Sequence, residues 1–162
     1  MRFHPLVLCL GAMVLMWGAS CSAGKRFIHH PFVEERVSLS GGRLPSKAQE
    51  LFYLAREENP RLHWNSCLAG KARDRAEDMA HTGNFSHRDS RTGKNPAWEM
   101  IRSCLPSRYM GENLTKGDES ALILHESLMK SPSHRKNIQD HRYDQLGVGC
   151  HNDICVQLFA GE

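Results

Sequence analysis

Arg108-Tyr109-Met110-Gly111-Glu112-Asn113-Leu114 is the stretch around which the rest of this 162-residue chain is arranged. A glycine beside a carboxylate and an amide suits a backbone that turns sharply while presenting a ligand side chain. Two histidine-bearing stretches flank it: Phe85-Ser86-His87-Arg88 upstream, and Ser131-Pro132-Ser133-His134-Arg135-Lys136-Asn137-Ile138 downstream. Two imidazoles and one carboxylate, His87, His134 and Glu112, form a donor set that one divalent metal or one polar substrate would accept if the fold brought them together. Spacing alone favours a plainer role for Glu112, as a solvated or salt-bridged carboxylate.

Downstream of these stretches the chain reads as a β-hairpin. Tyr143 to Cys150 and Ile154 to Ala160 flank His151-Asn152-Asp153, and Asn-Asp favours turning. If Cys150 faces Cys155, then Val148 opposes Gln157 and Leu146 opposes Phe159. The other face then carries Val156 and Leu158 beside Gly147 and Gly149. Apolar residues on both faces predict a sheet covered by helices on both sides.

Upstream lie three helical signals, and a fourth follows the central stretch. Ser46 with Gln49 has the spacing of a capping box, and Ala48, Leu51, Phe52 and Ala55 follow as one stripe until Asn59-Pro60. A second helix is capped near Asn65 or Ser66. It carries Ala69, Ala72, Ala76, Met79 and Ala80 inward, and Gly83 stops it. Asn95-Pro96 starts a short third helix with Trp98, Ile101 and Leu105 on its apolar side. Asp118 caps a further helix to about Lys130, with Ala121, Leu124 and Leu128 inward, and Ser131-Pro132 breaks it.

Taken in order, Ser-His, Gly-Glu-Asn, Ser-Pro-x-His-Arg-x-Asn-Ile, Tyr-x-x-Leu-Gly-Val-Gly and Val-Gln-x-Phe-Ala resemble the CAP superfamily. It joins cysteine-rich secretory proteins, antigen 5 and plant pathogenesis-related proteins, and the chain is most similar to its bacterial extracellular branch. The likeness runs from about Ser46 to the last residue. It implies an α+β fold, a three-layer α-β-α sandwich whose mostly antiparallel sheet is covered by helices on both faces.

The resemblance also implies a cleft lined by two histidines and two acidic residues, which in some members holds a divalent metal. His87, Glu112 and His134 map onto three of these positions, with Ser86 and Asn113 as cleft neighbours. Glu126 is the nearest acid to the fourth position but is out of step by several residues, with Leu128 where relatives carry tryptophan. Two histidines and a glutamate satisfy a zinc site with an open fourth position. Yet no His-Glu-x-x-His helix is present, no general base is evident, and adjacency in sequence does not make Ser86 and His87 a dyad. Three functions follow: a non-catalytic binding module of the cell envelope, a metal-dependent peptidase-like hydrolase, or a purely structural domain. The partner of the first is an envelope ligand or protein, with lipid and peptide as the chemistries in view.

Composition agrees with export. Residues 1–23 form a leader in which Arg2 precedes an apolar run, Leu6 to Trp17, that is short for a membrane span. Gly18-Ala19-Ser20-Cys21 resembles a lipobox, which would acylate Cys21 and anchor the protein to a membrane. The rival is ordinary cleavage after Ala23. Residues 24–45 read as a tether, and 46–162 as the domain. Lys plus Arg number 21 against 18 acids, a balance that argues against nucleic acid as partner. Of six cysteines, Cys67, Cys104, Cys150 and Cys155 fall in the domain. In an exported protein they read as two disulfides. A bridge across the turn joins Cys150 to Cys155 and leaves Cys67 for Cys104.

Overall fold

The computed structural model describes residues 45–162. The leader over 1–23 with Cys21, and all but the last residue of the tether over 24–45, lie outside the described residues.

Each element starts where local chemistry asks for it. Helix α1 (Lys47–Glu58) opens on the capping box: Ser46 Oγ accepts from the Gln49 N–H, and Gln49 Oε1 accepts from the Ser46 N–H at 2.9 Å. Strand β1 (His63–Trp64) is two residues long, where the sequence suggested only an approach to the next helix. Helix α2 (Ser66–Thr82) is capped by Asn65, whose Oδ1 accepts from the Leu68 N–H at 3.1 Å, and it ends at Gly83 with φ 69°. Helix α3 spans Ala97–Cys104 and strand β2 Tyr109–Lys116. Helix α4 (Ala121–Lys130) is capped by Ser120 rather than by the expected Asp118. Helix α5 (Pro132–Gln139) was not anticipated: Pro132 stops α4 but also opens α5, because a first-turn proline gives up only an N–H that has no helical partner. Strands β3 (Gln145–His151) and β4 (Ile154–Gly161) complete the sheet.

The strand order is β1-β3-β4-β2, with β1 parallel to β3 and the other pairings antiparallel. The hairpin register agrees with the sequence: Val148 faces Gln157, Leu146 faces Phe159, and Cys150 faces Cys155. Both expected disulfides are present, Cys67–Cys104 and Cys150–Cys155. Closing the long Cys67–Cys104 loop stabilises the fold by roughly 3 to 4 kcal/mol in the chain-entropy model.

Two cores separate the layers. On one face, Leu51, Phe52 and Ala55 of α1 and Leu124 and Leu128 of α4 pack on Leu146, Val148 and Phe159. On the other, Leu68, Ala72, Ala76 and Met79 of α2 with Ala97 and Ile101 of α3 pack on Leu114, Val156 and Leu158. The architecture is the α+β sandwich that the sequence implied.

The second layer is unusually close. A Cβ on Gly147 would lie 2.2 Å from the Leu68 carbonyl carbon, and one on Gly149 would lie 2.1 Å from the Arg73 nitrogen. Helix α2 therefore rests directly on the β3 backbone. Gly149→Ala is expected to destabilise the protein by about 1–3 kcal/mol or more through overpacking. Gly70→Ala, on α2 with nothing within 4 Å of its added Cβ, should stabilise by up to about 1 kcal/mol through helix propensity. Urea unfolding of the two variants checks both signs.

His125 makes stability depend on pH. It is buried on the inner side of α4, its Nδ1 has no hydrogen-bond partner, and burial lowers its pKa below the ordinary value, against the opposing pull of Glu58, Glu57 and Glu126. The folded state holds it neutral, so its contribution is full above about pH 6.5 and declines as pH falls towards the lower folded value. Unfolding midpoints should drop on acidification, and His125→Leu should remove part of that slope. An unchanged slope in the variant would refute the assignment.

Candidate functional site

The Gly111-Glu112-Asn113 stretch lies inside a regular strand, not in a turn as its glycine suggested. The glycine answers a different need. A Cβ at Gly111 would sit 2.8 Å from Tyr143 Oη, which donates to the Met110 carbonyl at 3.1 Å. Alternation along β2 then sends Glu112 to the α2–α3 side and Asn113 to the α5 side. Because β2 is an edge strand, the two sides meet around that edge.

Glu112 is buried, and its carboxylate is held from three directions. Arg75 of α2, itself fully buried, donates from Nε to Oε1 at 3.3 Å. On Oε2, His87 Nδ1 lies at 2.7 Å and Asn95 Nδ2 donates at 3.2 Å. An ionised carboxylate only accepts, so the His87 proton sits on Nδ1 and the Nε2 lone pair points away from Glu112. Arg75 also donates from Nη2 to the Ser86 carbonyl at 2.5 Å, which fixes the backbone one residue before His87. Its Nη1 lies 3.5 Å from Asp78.

The loop carrying His87 is stitched to itself. Asn84 Nδ2 donates to the Arg88 carbonyl and Arg88 Nη1 to that of Gly93, while Ser86 Oγ accepts from the Arg88 N–H. Asp89 accepts from the Thr92 and Arg91 N–H groups, which pulls its carboxyl down to about 2. Asn95 closes the loop, accepting from the Ala97 N–H at 2.9 Å while its amide holds Glu112.

From the other side of the edge, α5 brings His134. Its ring centroid lies 6.5 Å from that of His87, and the His87 side chain is about half exposed. Burial, and secondarily the neighbouring His87, hold the His134 pKa below the ordinary value. An amide network anchors α5 here. Asn113 Nδ2 donates to the His134 carbonyl at 3.1 Å and to Gln157 Oε1 at 3.0 Å. Asn137 Nδ2 donates to the Glu112 carbonyl at 3.2 Å and to Asn113 Oδ1 at 2.9 Å.

The fold thus brings His87 against Glu112 and sets His134 beside His87. Among the described residues, no three His, Cys, Asp or Glu side chains stand grouped for one metal ion. Glu112 is placed to orient His87, in the manner of a carboxylate behind a histidine ligand. Glu126 lies on the exposed side of α4, 4.0 Å from Lys130. Four contributors were given no part in the site by the sequence: Arg75, Asn95, Asn137 and Gln157. Arg75 had a signal, since it falls in phase with Leu68, Ala72, Ala76 and Met79 on the buried face of α2. Asn137 and Gln157 stand within the quoted motifs, where their purpose shows only once the strand is paired.

The family model described as the cysteine-rich secretory protein (CAP) family matches residues 55–159. The uncharacterized protein YkwD of Bacillus subtilis is 29% identical over 104 residues, covering 62% of this chain but only 40% of that protein's length. Among solved structures, an extracellular SCP-domain protein of Bacillus anthracis superposes with a TM-score of 0.65 at 23% identity, covering 72% of this chain and 40% of that one. An outer surface protein of Borrelia burgdorferi superposes with a TM-score of 0.59 at 18% identity, covering 73% of this chain and 96% of that one.

Arg75→Met is expected to cost about 3–5 kcal/mol, because it leaves the Glu112 carboxylate buried without its cation. Adding Glu112→Gln should recover part of that loss, giving a double-mutant coupling of about 0.5–3 kcal/mol. Urea denaturation of the four proteins measures it, and additive losses would show that the pair is not coupled.

Proposed function

The chain belongs to the cysteine-rich secretory protein (CAP) family, and from that premise we propose that it is an exported, non-catalytic binding module of the bacterial cell envelope. Its ligand or protein partner engages the His87/His134 cleft, and an acylated Cys21 in the leader holds the protein to the membrane. The leader pattern, the paired domain cysteines and two similar proteins, one extracellular and one of an outer surface, support export.

The observation that carries the binding reading is the saturation of Glu112. Arg75, His87 and Asn95 occupy both of its oxygens. It therefore serves to orient an imidazole and is poorly placed to take a proton from water. Ser86 Oγ accepts from the Arg88 N–H within its own loop, which is no arrangement for an activated nucleophile. What the cleft offers outward is two imidazole edges, one of them with its Nδ1 proton fixed.

That pair fits a zinc-like ion. Neutral imidazoles are its preferred nitrogen donors, His134 is held towards the neutral form, and the carboxylate behind His87 fixes the orientation of that ring. His87 and His134 would hold the ion, which when bound would supply a Lewis-acidic anchor for a carboxylate or carbonyl of the ligand. The same pair supports a second reading, a metal-dependent hydrolase of peptide or cell-wall substrates.

Calorimetric titration with zinc should give binding that His87→Ala or His134→Ala weakens at least about tenfold, while His81→Ala leaves it intact. Affinity should fall with pH, because each ligand must be unprotonated, and zinc should raise the melting temperature. Equal binding by wild type and both site variants would sink the metal. Zinc-dependent turnover of a peptide or cell-wall library that is lost in His134→Ala would overturn the non-catalytic reading in favour of the hydrolase.

A further inference from the structure

Away from the cleft, the outward face of α5 forms one wall of an open groove of about 770 Å3. Arg135, Lys136 and Gln139 line that wall, and Asp140, His141 and Arg142 of the following turn line the other. His134, on the same helix, is not among the lining residues. The groove holds three permanent cations and one imidazole against a single carboxylate. That carboxylate is already engaged: Arg142 Nε donates to both Asp140 oxygens, at 2.8 and 3.1 Å, and Nη2 donates to Oδ2. The pairing holds the Asp140 carboxyl below its usual range.

The Arg142 guanidinium lies 4.8 Å from the centre of the Tyr109 ring, and Arg108 lies 5.5 Å from the same ring, extending the positive surface along the start of β2. Arg135 is exposed, and its Nη1 donates to the Met129 carbonyl at 3.3 Å. Lys136 is exposed.

We propose that this groove binds the phosphate groups of a linear anionic polymer. The exposed Arg135 guanidinium and the Lys136 ammonium present N–H donors to tetrahedral oxyanions, while Arg142, its fork already on Asp140, fixes the turn beside them. A chain is favoured over one ion because the cations are spread over α5, the following turn and the start of β2 rather than gathered at one point. A chain is favoured over a bilayer because the lining carries no large apolar side chain to enter a membrane. The exposed Leu122 and Ile123 belong to α4. The proposal does not depend on the cleft reading.

The test uses the full chain and short-chain inorganic polyphosphate, titrated at two salt concentrations. Arg135→Gln combined with Lys136→Gln should weaken binding at least tenfold and reduce the salt dependence, since two counter-charges no longer act. Lys71→Gln combined with Lys94→Gln removes the same charge elsewhere and should change affinity less than twofold. Equal losses in the two double variants would mean that only net charge is sensed. Full binding by the groove variant, or no binding by wild type, would refute the proposal. Vesicles containing phosphatidylglycerol that outcompete polyphosphate at matched phosphate concentration would replace the polymer with a membrane surface. Unchanged zinc titration in the groove variant would keep the two surfaces separate.

Discussion

The ion pair between Arg75 and Glu112 is the interaction on which the site depends. It joins a helix to an edge strand where both side chains are almost wholly out of water. Burying two charges is expensive, so such a pair survives only when further hydrogen bonds satisfy it. Here Asn95 and His87 complete the carboxylate, and the Ser86 carbonyl takes Nη2 of the guanidinium, while Nη1 has only the charge of Asp78 at 3.5 Å and no hydrogen bond. The partners come from helix, loop and strand. Positioning the charge therefore positions the loop, and the loop carries His87.

That arrangement needs α2 very near the sheet, and β3 makes room with two glycines on one face. Alanines at 72 and 76 make room from the helix side. The Cys67–Cys104 bridge ties the start of α2 to the end of α3, the helix that Asn95 opens. Glycine spacing, small helix residues and a disulfide serve one geometric end: they hold Arg75 at hydrogen-bonding range of Glu112. On the opposite side, α5 covers the free edge of β2, and Asn137 accepts the task of a missing strand by donating to the Glu112 carbonyl. An edge that would otherwise offer unpaired backbone groups is thereby closed.

Local rules made much of this legible in the sequence. The capping box at Ser46, the cap at Asn65 and the hairpin register all depend on residues close in the chain or on strict alternation. Each was found as read. What escaped depends on distant partners. Arg75 sits in the apolar phase of α2, but only Glu112, 37 residues on, explains a charge there. Strand β1 exists because β3 lies alongside it, since two residues carry no period of their own. Helix α5 was hidden by a proline that served as a stop for one helix and a start for the next. Gly111 was legible as a constraint but not as this one, because Tyr143, which demands it, comes 32 residues later in the sequence.

The chemistry of the site follows from which way its donors and acceptors are turned. Glu112 and Arg75 pair inside the fold, and the amides of Asn113, Asn137 and Gln157 form a second network on the other side of β2, with Arg75 Nη1 and Gln157 Nε2 left without a hydrogen-bond partner. Between these two sets stand His87 and His134, the first with its proton directed inward and the second kept towards the neutral form by burial. On the binding reading proposed above, these two imidazoles would face a ligand from a frame tied down by both networks. Rigidity favours selective binding, because little conformational freedom remains to be lost when a ligand docks. Proton transfer would ask the opposite, a carboxylate with an oxygen free and within reach of a bound water. Freeing Glu112 for that task would mean breaking its bond to His87 or exposing Arg75 unpaired. The network that aligns His87 thus already occupies both oxygens of its carboxylate.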